Sequence, residues 1–276
     1  MTGNLKLLTD TLAEARQANR AALITGLPAG FPTVGDGIGA VRAMLDAGAD
    51  IVEVGLPFSD PVLDGPLIQT ADDIALRGGV RIGDVLRTVG EAYRATGKPI
   101  LVMSYWNPID RYGPERFADE LAAVGGAGCI LPDLPVQESA EWRACAAARD
   151  LATVFVVAPS TSDTRLREIT AAGSGFVYAS SLMGVTGVRA SLNTAASAFV
   201  ERVRAVTDLP VCVGIGISDA AQAAAVADFA DGVIVASALV KAILDAPETT
   251  SGIDAVAKLT AELRRATGRA AHATAV

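Results

Sequence analysis

Two acidic residues in one apolar stretch are the side chains best suited to chemistry. Residues 50–69, DIVEVGLPFSDPVLDGPLIQ, hold Glu53 within a β-branched run and Asp64 in the loop that follows it. Burial between Val52 and Val54 would desolvate the Glu53 carboxyl group and raise its pKa toward the range of a general acid or base. Two carboxyl groups in different environments can divide the roles of proton donor and charged acceptor. The pattern therefore indicates acid/base chemistry at the end of a strand.

Each of these acids also has a structural alternative. Glu53 at a sheet edge would pair with a surface lysine. Asp64 stands in Asp-Gly-Pro, where an aspartate often satisfies the backbone donors of a turn. Asp60 stands in Ser-Asp-Pro and is assigned mainly to loop structure for the same reason.

Three loops of small residues, each after a late apolar run, form a second candidate site. They are GVTG at 184–187, GIG at 214–216 and Ala236-Ser237. In a barrel of parallel strands, such loops commonly bind phosphate through backbone N–H groups and the start of a helix. Glycines also supply ordinary turns, so the placement after successive strands is what favours a phosphate site.

Apolar strand-like runs alternate with amphipathic helical patterns, and this alternation must position the candidate residues. The eight predicted strands are Ala21–Leu27, Ile51–Gly55, Pro99–Met103, Gly128–Leu131, Thr153–Ala158, Gly175–Ser180, Pro210–Gly214 and Gly232–Ala236. The predicted helices include Asp36–Ala47, Arg81–Ala95, Pro114–Val124, Glu138–Arg149, Thr164–Ala172 and Asp219–Ala227. Nearly continuous hydrophobic strands are typical of a parallel sheet that helices cover on both faces.

Eight such units predict an α/β fold, the (β/α)8 TIM barrel, with an extra helix at the N-terminus. The rival is a doubly wound open sheet, but GLPAGFP at 26–32 lacks the spacing of a dinucleotide-binding loop. No linker or low-complexity tract divides the chain. We predict one domain over residues 1–268 and a flexible tail over residues 269–276.

Charge and composition exclude several classes of function. A net charge of −8, from 23 Lys plus Arg and 31 Asp plus Glu, argues against nucleic-acid and membrane binding and favours a small-molecule substrate.

The first 20 residues are charged throughout, and no stretch is long and apolar enough to span a membrane, which predicts a cytoplasmic protein. The three cysteines, Cys129, Cys145 and Cys212, are odd in number and far apart in the sequence, which indicates free thiols. The single histidine, His272, lies in the tail, so we predict no metal site and no histidine triad.

Taken together and in order, the motifs resemble those of the tryptophan synthase alpha subunit family. The motifs are GLPFSDPVLDGPLIQ at 55–69, YWNP at 105–108, PDLP at 132–135, GVTG at 184–187 and GIGIS at 214–218. The resemblance runs from about Leu7 to the last helix. PFSDP-x-x-DGP combined with GVTG is highly specific, whereas GIG alone is not.

The resemblance implies a carbon-carbon lyase of tryptophan biosynthesis that cleaves indole-3-glycerol phosphate to indole and glyceraldehyde 3-phosphate. It implies no cofactor in this chain. Such a retro-aldol cleavage needs an acid that protonates indole C3, a carboxylate that stabilises charge at the ring nitrogen, and a base for the side-chain hydroxyl.

The resemblance also assigns roles to residues. Glu53 would transfer protons at C3 and the hydroxyl, Asp64 would accept the indole N–H, and Tyr178 and Thr186 would position substrate or catalytic groups. The phosphate site would contain Gly184, Gly187, Gly216, Ala236 and Ser237. The indole pocket would contain Gly26, Leu63, Met103, Ile130 and Val156.

Four positions depart from the family pattern. Gly26 stands where an aromatic wall of the indole pocket is expected, and Leu63 replaces a small residue before Asp64. Phe31 replaces a common acid, and Ala236 replaces a phosphate-site glycine, which is tolerable if its φ is negative. The smaller Gly26 and the larger Leu63 either compensate for each other in volume within one pocket or indicate that the substrate carries a substituted indole ring.

The family implies a partner, a beta subunit that holds pyridoxal phosphate and receives indole within an α2β2 complex. Tyr105–Pro108 and Asp133–Pro135 are candidate contact segments, and the alternative is that Trp106 packs against its own barrel. The sequence leaves two alternative functions open. One is a stand-alone lyase that releases free indole, and the other is a non-catalytic regulatory or binding barrel.

Overall fold

The computed structural model of the protein describes residues 3–180, 189–214 and 216–269. The strands are β1 (Ala22–Pro28), β2 (Ile51–Gly55), β3 (Ile100–Met103), β4 (Gly128–Ile130), β5 (Ala152–Val154), β6 (Val156–Val157), β7 (Val177–Ser180), β8 (Val211–Gly214) and β9 (Gly232–Val235). The helices are α1 (Asn4–Gln17), α2 (Val34–Asp46), α3 (Pro66–Arg77), α4 (Ile82–Thr96), α5 (Trp106–Tyr112), α6 (Pro114–Ala123), α7 (Ala140–Ala147), α8 (Asp163–Ala172), α9 (Arg189–Arg204), α10 (Ala220–Ala227), α11 (Ser237–Leu244) and α12 (Thr249–Ala266).

The strands form one ring of parallel pairs, in the order β5-β4-β3-β2-β1-β9-β8-β7-β6. Only Phe155 separates β5 from β6, and the first pairs with β4 while the second pairs with β7. The carbonyl of Phe155 accepts a hydrogen bond from the N–H of Tyr178 at 3.1 Å. The strand predicted over Thr153–Ala158 is thus divided where the ring closes, and the predicted (β/α)8 barrel is confirmed.

Side chains alternate between the barrel interior and the helix layer, because successive residues of a strand point to opposite faces. One buried cluster fills the interior and includes Ile24, Ile51, Leu101 and Phe176. A second cluster packs the alternate residues of the strands, such as Val52, against the helices. Glu53 shares the inward face of β2 with Ile51 and lies above this apolar filling, at the carboxyl end of the strand.

Helix α1 closes the opposite end of the barrel. Its buried residues Leu8, Leu12 and Ala15 belong to the interior cluster, and the N–H of Leu5 donates to the carbonyl of Asp150 at 2.9 Å. This is the extra N-terminal helix predicted from the sequence. Since apolar side chains fill the amino end of the ring, an internal site can open only at the carboxyl end.

The predicted strands and helices agree with the structure to within one or two residues at most ends. Helices α3, α5, α9 and α11 were not among the predicted patterns. The predicted contact segment Tyr105–Pro108 contains the N-cap residue and the first three residues of α5. All three cysteines are free, as predicted. Of the helices in the described ranges, none is long and apolar enough to cross a membrane. The single domain over residues 1–268 stays a prediction, and the tail beyond residue 269, with His272, lies outside the described residues.

Candidate active site

A cavity of about 710 Å³ opens at the carboxyl ends of the strands. It is lined by inward-facing strand residues, among them Gly26, Glu53, Met103 and Tyr178, and by Ala236 just after β9. Loop residues between β2 and α3, including Asp64, form part of its wall. Barrels of this kind hold their reactive groups at this end. The two predicted carboxyl groups therefore line one cavity.

Glu53 is buried, and one of its carboxyl oxygens has no hydrogen-bond partner among the described residues. The residue is 4% exposed, and its Oε2 makes no hydrogen bond to any atom of the described residues. Burial, followed by the negative charge of Asp64, raises the pKa of Glu53 to about 7. A carboxyl group with this pKa is present in both protonation states near neutral pH, so it can donate and accept protons in one cycle.

Asp64 is held in place by the backbone of its loop and by Tyr105. Its N–H donates to the carbonyl of Pro61 at 3.0 Å, and its own carbonyl accepts from Nε2 of Gln69 at 2.8 Å. Its Oδ2 accepts a hydrogen bond from the hydroxyl of Tyr105 at 2.8 Å. Burial raises the pKa of Asp64, and the Tyr105 hydrogen bond lowers it. The Tyr105 hydroxyl therefore orients the Asp64 carboxylate through one of its two oxygens.

Tyr105 is a site residue that the sequence analysis placed only in a contact segment. It is 5% exposed, accepts from the N–H of Leu63 at 2.9 Å and stacks at 5.3 Å on Phe58. Burial, with its bond to Asp64, raises the pKa of Tyr105 well above the ordinary value. It therefore remains a proton donor to Asp64. Its position just after β3, at the carboxyl end of a barrel strand, is the signal by which the sequence could have placed it in the site.

Tyr178, a predicted positioning residue, lies on β7 with its hydroxyl against Gly214 of β8. A Cβ atom at Gly214 would lie 2.4 Å from that hydroxyl oxygen, so the glycine makes room for the tyrosine. Burial, with the charges of Glu53 and Asp64, raises the pKa of Tyr178 well above its ordinary value. A neutral phenol beside two carboxyl groups can orient them or the substrate. Thr186, the other predicted positioning residue, lies outside the described residues.

Asp72, on α3, is a third carboxyl group at the cavity, and the sequence analysis missed it. It is 5% exposed on the helix face that also buries Ala71 and Ala75. Burial and the charge of Asp64 raise its pKa to about 7, while the N–H of Phe58 opposes the shift. The signal was available in the sequence, because Asp72 lies one turn from the apolar positions Ile68 and Ala75 of the same helix.

Replacing Asp72 with asparagine is expected to stabilise the protein at pH 8 more than at pH 5. The pKa of this carboxyl is raised in the folded state, so its proton favours the folded state at low pH, and that stability is lost as pH rises through about 7. At pH 8 the Asn variant should melt higher than the parent by roughly 2–8 °C, or about 1–2 kcal/mol. Thermal unfolding of both proteins at the two pH values measures the difference. Asp73→Asn is the matched control, since it makes the same substitution at the next position of α3, where the side chain is 55% exposed.

The predicted phosphate residues that the structure describes also line this cavity. They are Gly216, Ala236 and Ser237. Gly216 has φ +72°, which favours glycine, and Ala236 has φ −127°, which an alanine adopts without strain. Ala236 precedes the first residue of α11, Ser237, so the free N–H groups of that helix start beside the cavity. Gly184 and Gly187 lie outside the described residues.

Four of the five predicted indole-pocket residues line the cavity. These are Gly26, Leu63, Met103 and Val156. Ile130 does not, because its side chain is fully buried in the interior cluster. Leu63 is 59% exposed and its neighbour Val62 is 80% exposed, so this loop presents apolar surface beside the cavity mouth.

The two candidate contact segments touch each other through one hydrogen bond. The N–H of Trp106 donates to Oδ1 of Asp133 at 2.8 Å. The Trp106 side chain is half-buried and packs against the outer core cluster. Trp106 therefore packs at least in part against its own barrel, which is the alternative considered from the sequence.

Comparison with known proteins identifies one family over nearly the whole chain. The family model described as tryptophan synthase alpha chain matches residues 12–268. The chain is 71% identical over 265 residues to the tryptophan synthase alpha chain of Streptomyces coelicolor, covering 96% of this chain and 98% of that protein. It is 70% identical over 260 residues to that of Streptomyces avermitilis, covering 94% of each chain.

Solved structures show the same similarity. The fold matches the tryptophan synthase of Mycobacterium tuberculosis with a TM-score of 0.88 and 46% identity, covering 95% of this chain and 98% of the other. It matches tryptophan synthase subunit alpha from Legionella pneumophila with a TM-score of 0.87 and 32% identity, at the same coverage. Both are similar well above the level at which only a fold is shared.

Proposed function

The chain belongs to the tryptophan synthase alpha chain family, and from that premise we propose that Glu53 and Asp64 are its catalytic pair. The family reaction is the retro-aldol cleavage of indole-3-glycerol phosphate to indole and glyceraldehyde 3-phosphate. The observation that carries the proposal is the buried carboxyl of Glu53, with a pKa of about 7 and with Oε2 unpaired among the described residues, in one cavity with Asp64.

Glu53 supplies the proton transfers. Its protonated form gives a proton to indole C3, which places positive charge on the ring nitrogen. The resulting carboxylate then takes the proton of the side-chain hydroxyl. The oxygen electrons form the aldehyde C=O as the bond to C3 breaks, and those bond electrons return to the ring, which restores indole. The cycle leaves Glu53 protonated again, so no other acid or base is required.

Asp64 stabilises the charge at the ring nitrogen. Its carboxylate accepts the indole N–H and interacts with the positive charge that develops when C3 is protonated. The hydroxyl of Tyr105 holds one oxygen of Asp64, which pre-orients the carboxylate before substrate binds. Tyr178, whose hydroxyl lies near both carboxyl groups, positions Glu53 or the ring.

The phosphate end of the substrate binds at the start of α11. The free N–H groups near Ala236 and Ser237 and the positive end of the helix dipole favour an anion there. Gly216 admits a close approach of the backbone. By family resemblance, Gly184 and Gly187 also belong to this phosphate site, and Thr186 positions the substrate or the catalytic groups.

The reaction of this family uses no cofactor in the alpha chain, and its partner is the beta subunit, to which pyridoxal phosphate belongs. We extend both statements to this chain, with assembly as α2β2 and a cytoplasmic location. The exposed pair Val62 and Leu63 and the joined segments at Trp106 and Asp133 are the surfaces that we assign to the beta subunit.

Indole release from indole-3-glycerol phosphate tests the proposal. The purified chain alone should release indole slowly, and titration with a beta subunit should raise the rate sharply. A high rate that no beta subunit changes would instead identify a stand-alone lyase. Absence of indole release in both conditions would contradict the lyase function and leave a binding barrel.

A further inference from the structure

The backbone of Gly26 lies directly beneath the side chain of Glu53. Gly26 on β1 and Glu53 on β2 are partners in the strand register. A Cβ atom at Gly26 would lie 2.6 Å from Oε1 and 2.7 Å from Cγ of Glu53, closer than real carbon contacts allow. The Glu53 carboxyl group therefore occupies the space that a side chain at position 26 would fill.

The backbone conformation of Gly26 does not itself require glycine. The residue lies inside β1, and its φ is outside the left-handed region that favours glycine. The close approach of Glu53 is thus the main reason for glycine here. On the other side, the same Cβ would lie 3.0 Å from the Cβ of Ala236.

We infer that Gly26 is a positioning residue for Glu53. Because it has no side chain, the carboxyl group lies against β1, where neighbouring atoms desolvate it, and does not project into the middle of the cavity. This inference rests on the proposed function, since it concerns the group that moves the protons. It also changes the role expected for Gly26, because Glu53 and Ala236 fill the space that a missing indole-pocket wall would leave.

The direct consequence concerns the Gly26→Ala variant. The contact at Cγ cannot be relieved by moving only the carboxyl end, so the whole Glu53 side chain must rotate toward the cavity. There it is better solvated, and its pKa falls from about 7 toward the ordinary value. The inflection of kcat/KM near neutral pH should move to lower pH by roughly one unit or more. Turnover should fall about 10-fold or more, since the proton donor leaves its place.

Two matched variants separate this effect from a general loss of structure. Gly83→Ala on α4 adds the same methyl group where no atom outside its own helix lies within 4 Å, and it should keep the parent pH profile. The double variant Gly26→Ala, Ala236→Gly removes the Ala236 contact but keeps both Glu53 contacts, so its inflection should stay shifted. Return of the parent inflection in that double variant would assign the effect to Ala236 and overturn the inference.

A thermal-unfolding cycle tests the contact independently of activity. Gly26→Ala should lower Tm by roughly 3–10 °C in the parent protein. In a Glu53→Ala background it should lower Tm little or not at all, because Cγ and the carboxyl group are absent. An equal loss in both backgrounds would overturn the inference, as would a folded Gly26→Ala enzyme with the parent pH profile. If the parent chain releases no indole with or without beta subunit, the proposed function fails, and the unfolding cycle still decides whether Gly26 makes room for Glu53.

Discussion

Glu53→Gln is expected to lower the turnover of indole-3-glycerol phosphate by roughly 100-fold to 10,000-fold, the range for loss of a general acid/base group. Glutamine keeps the size of the side chain but can neither give a proton to C3 nor take one from the hydroxyl. The inflection near pH 7 in the kcat/KM profile, which follows from the pKa of Glu53, should disappear with it. Steady-state indole release from pH 5 to pH 9 measures both effects.

Substrate binding by the Glu53→Gln enzyme should be largely retained, because we propose that the phosphate end binds at the start of α11, away from Glu53. Glu14→Gln provides the matched control, since Glu14 is exposed on α1 at the closed end of the barrel. It should show the parent turnover. Normal turnover in the purified Glu53→Gln enzyme would remove Glu53 from the mechanism.

Asp64→Asn is expected to lower turnover by roughly 100-fold to 1,000-fold, the usual effect of losing a group that stabilises transition-state charge. The amide oxygen still accepts a hydrogen bond from the indole N–H but carries no charge against the positive ring. Since the charge of Asp64 also raises the pKa of Glu53, the neutral inflection should move to lower pH in this variant. Indole release from pH 5 to pH 9 by the chain without beta subunit measures both the loss of turnover and the shift of the inflection.

Two variants bracket the role of Asp64. Asp60→Asn alters a carboxylate of the same loop that is exposed and accepts only from Ser59 among the contacts described, so turnover of the chain alone should not change. Tyr105→Phe removes one hydrogen bond to Asp64 and should lower turnover by less than the Asp64 substitution. Equal turnover for Asp64→Asn and Asp60→Asn would show that Asp64 only stabilises the turn of its loop, which is the structural alternative considered from the sequence.

The site was predicted from the sequence to the extent that it depends on periodicity and on loop position. The alternation of β2 places Glu53 on the same face as Ile51, and a parallel strand places its loop, with Asp64, at the carboxyl end. Helix α3 was not predicted, so Asp72 was not placed, although its spacing from Ile68 and Ala75 was visible in the sequence. Residues 184–187, which the motifs assign to the phosphate site, lie outside the described residues.

The sequence by itself predicted the eight-unit barrel with its extra N-terminal helix, the family and the two carboxyl groups, because these depend on local periodicity and on motifs read in order. Only the tertiary structure decided which groups meet. Tyr105 reaches Asp64 across 41 positions of the chain, and Gly26 lies beneath Glu53 because β1 and β2 pair in one register. Such contacts depend on strand register and side-chain rotamers, which no local pattern of residues encodes. The pKa of Glu53 follows from the same packing, since desolvation is a property of the folded surroundings.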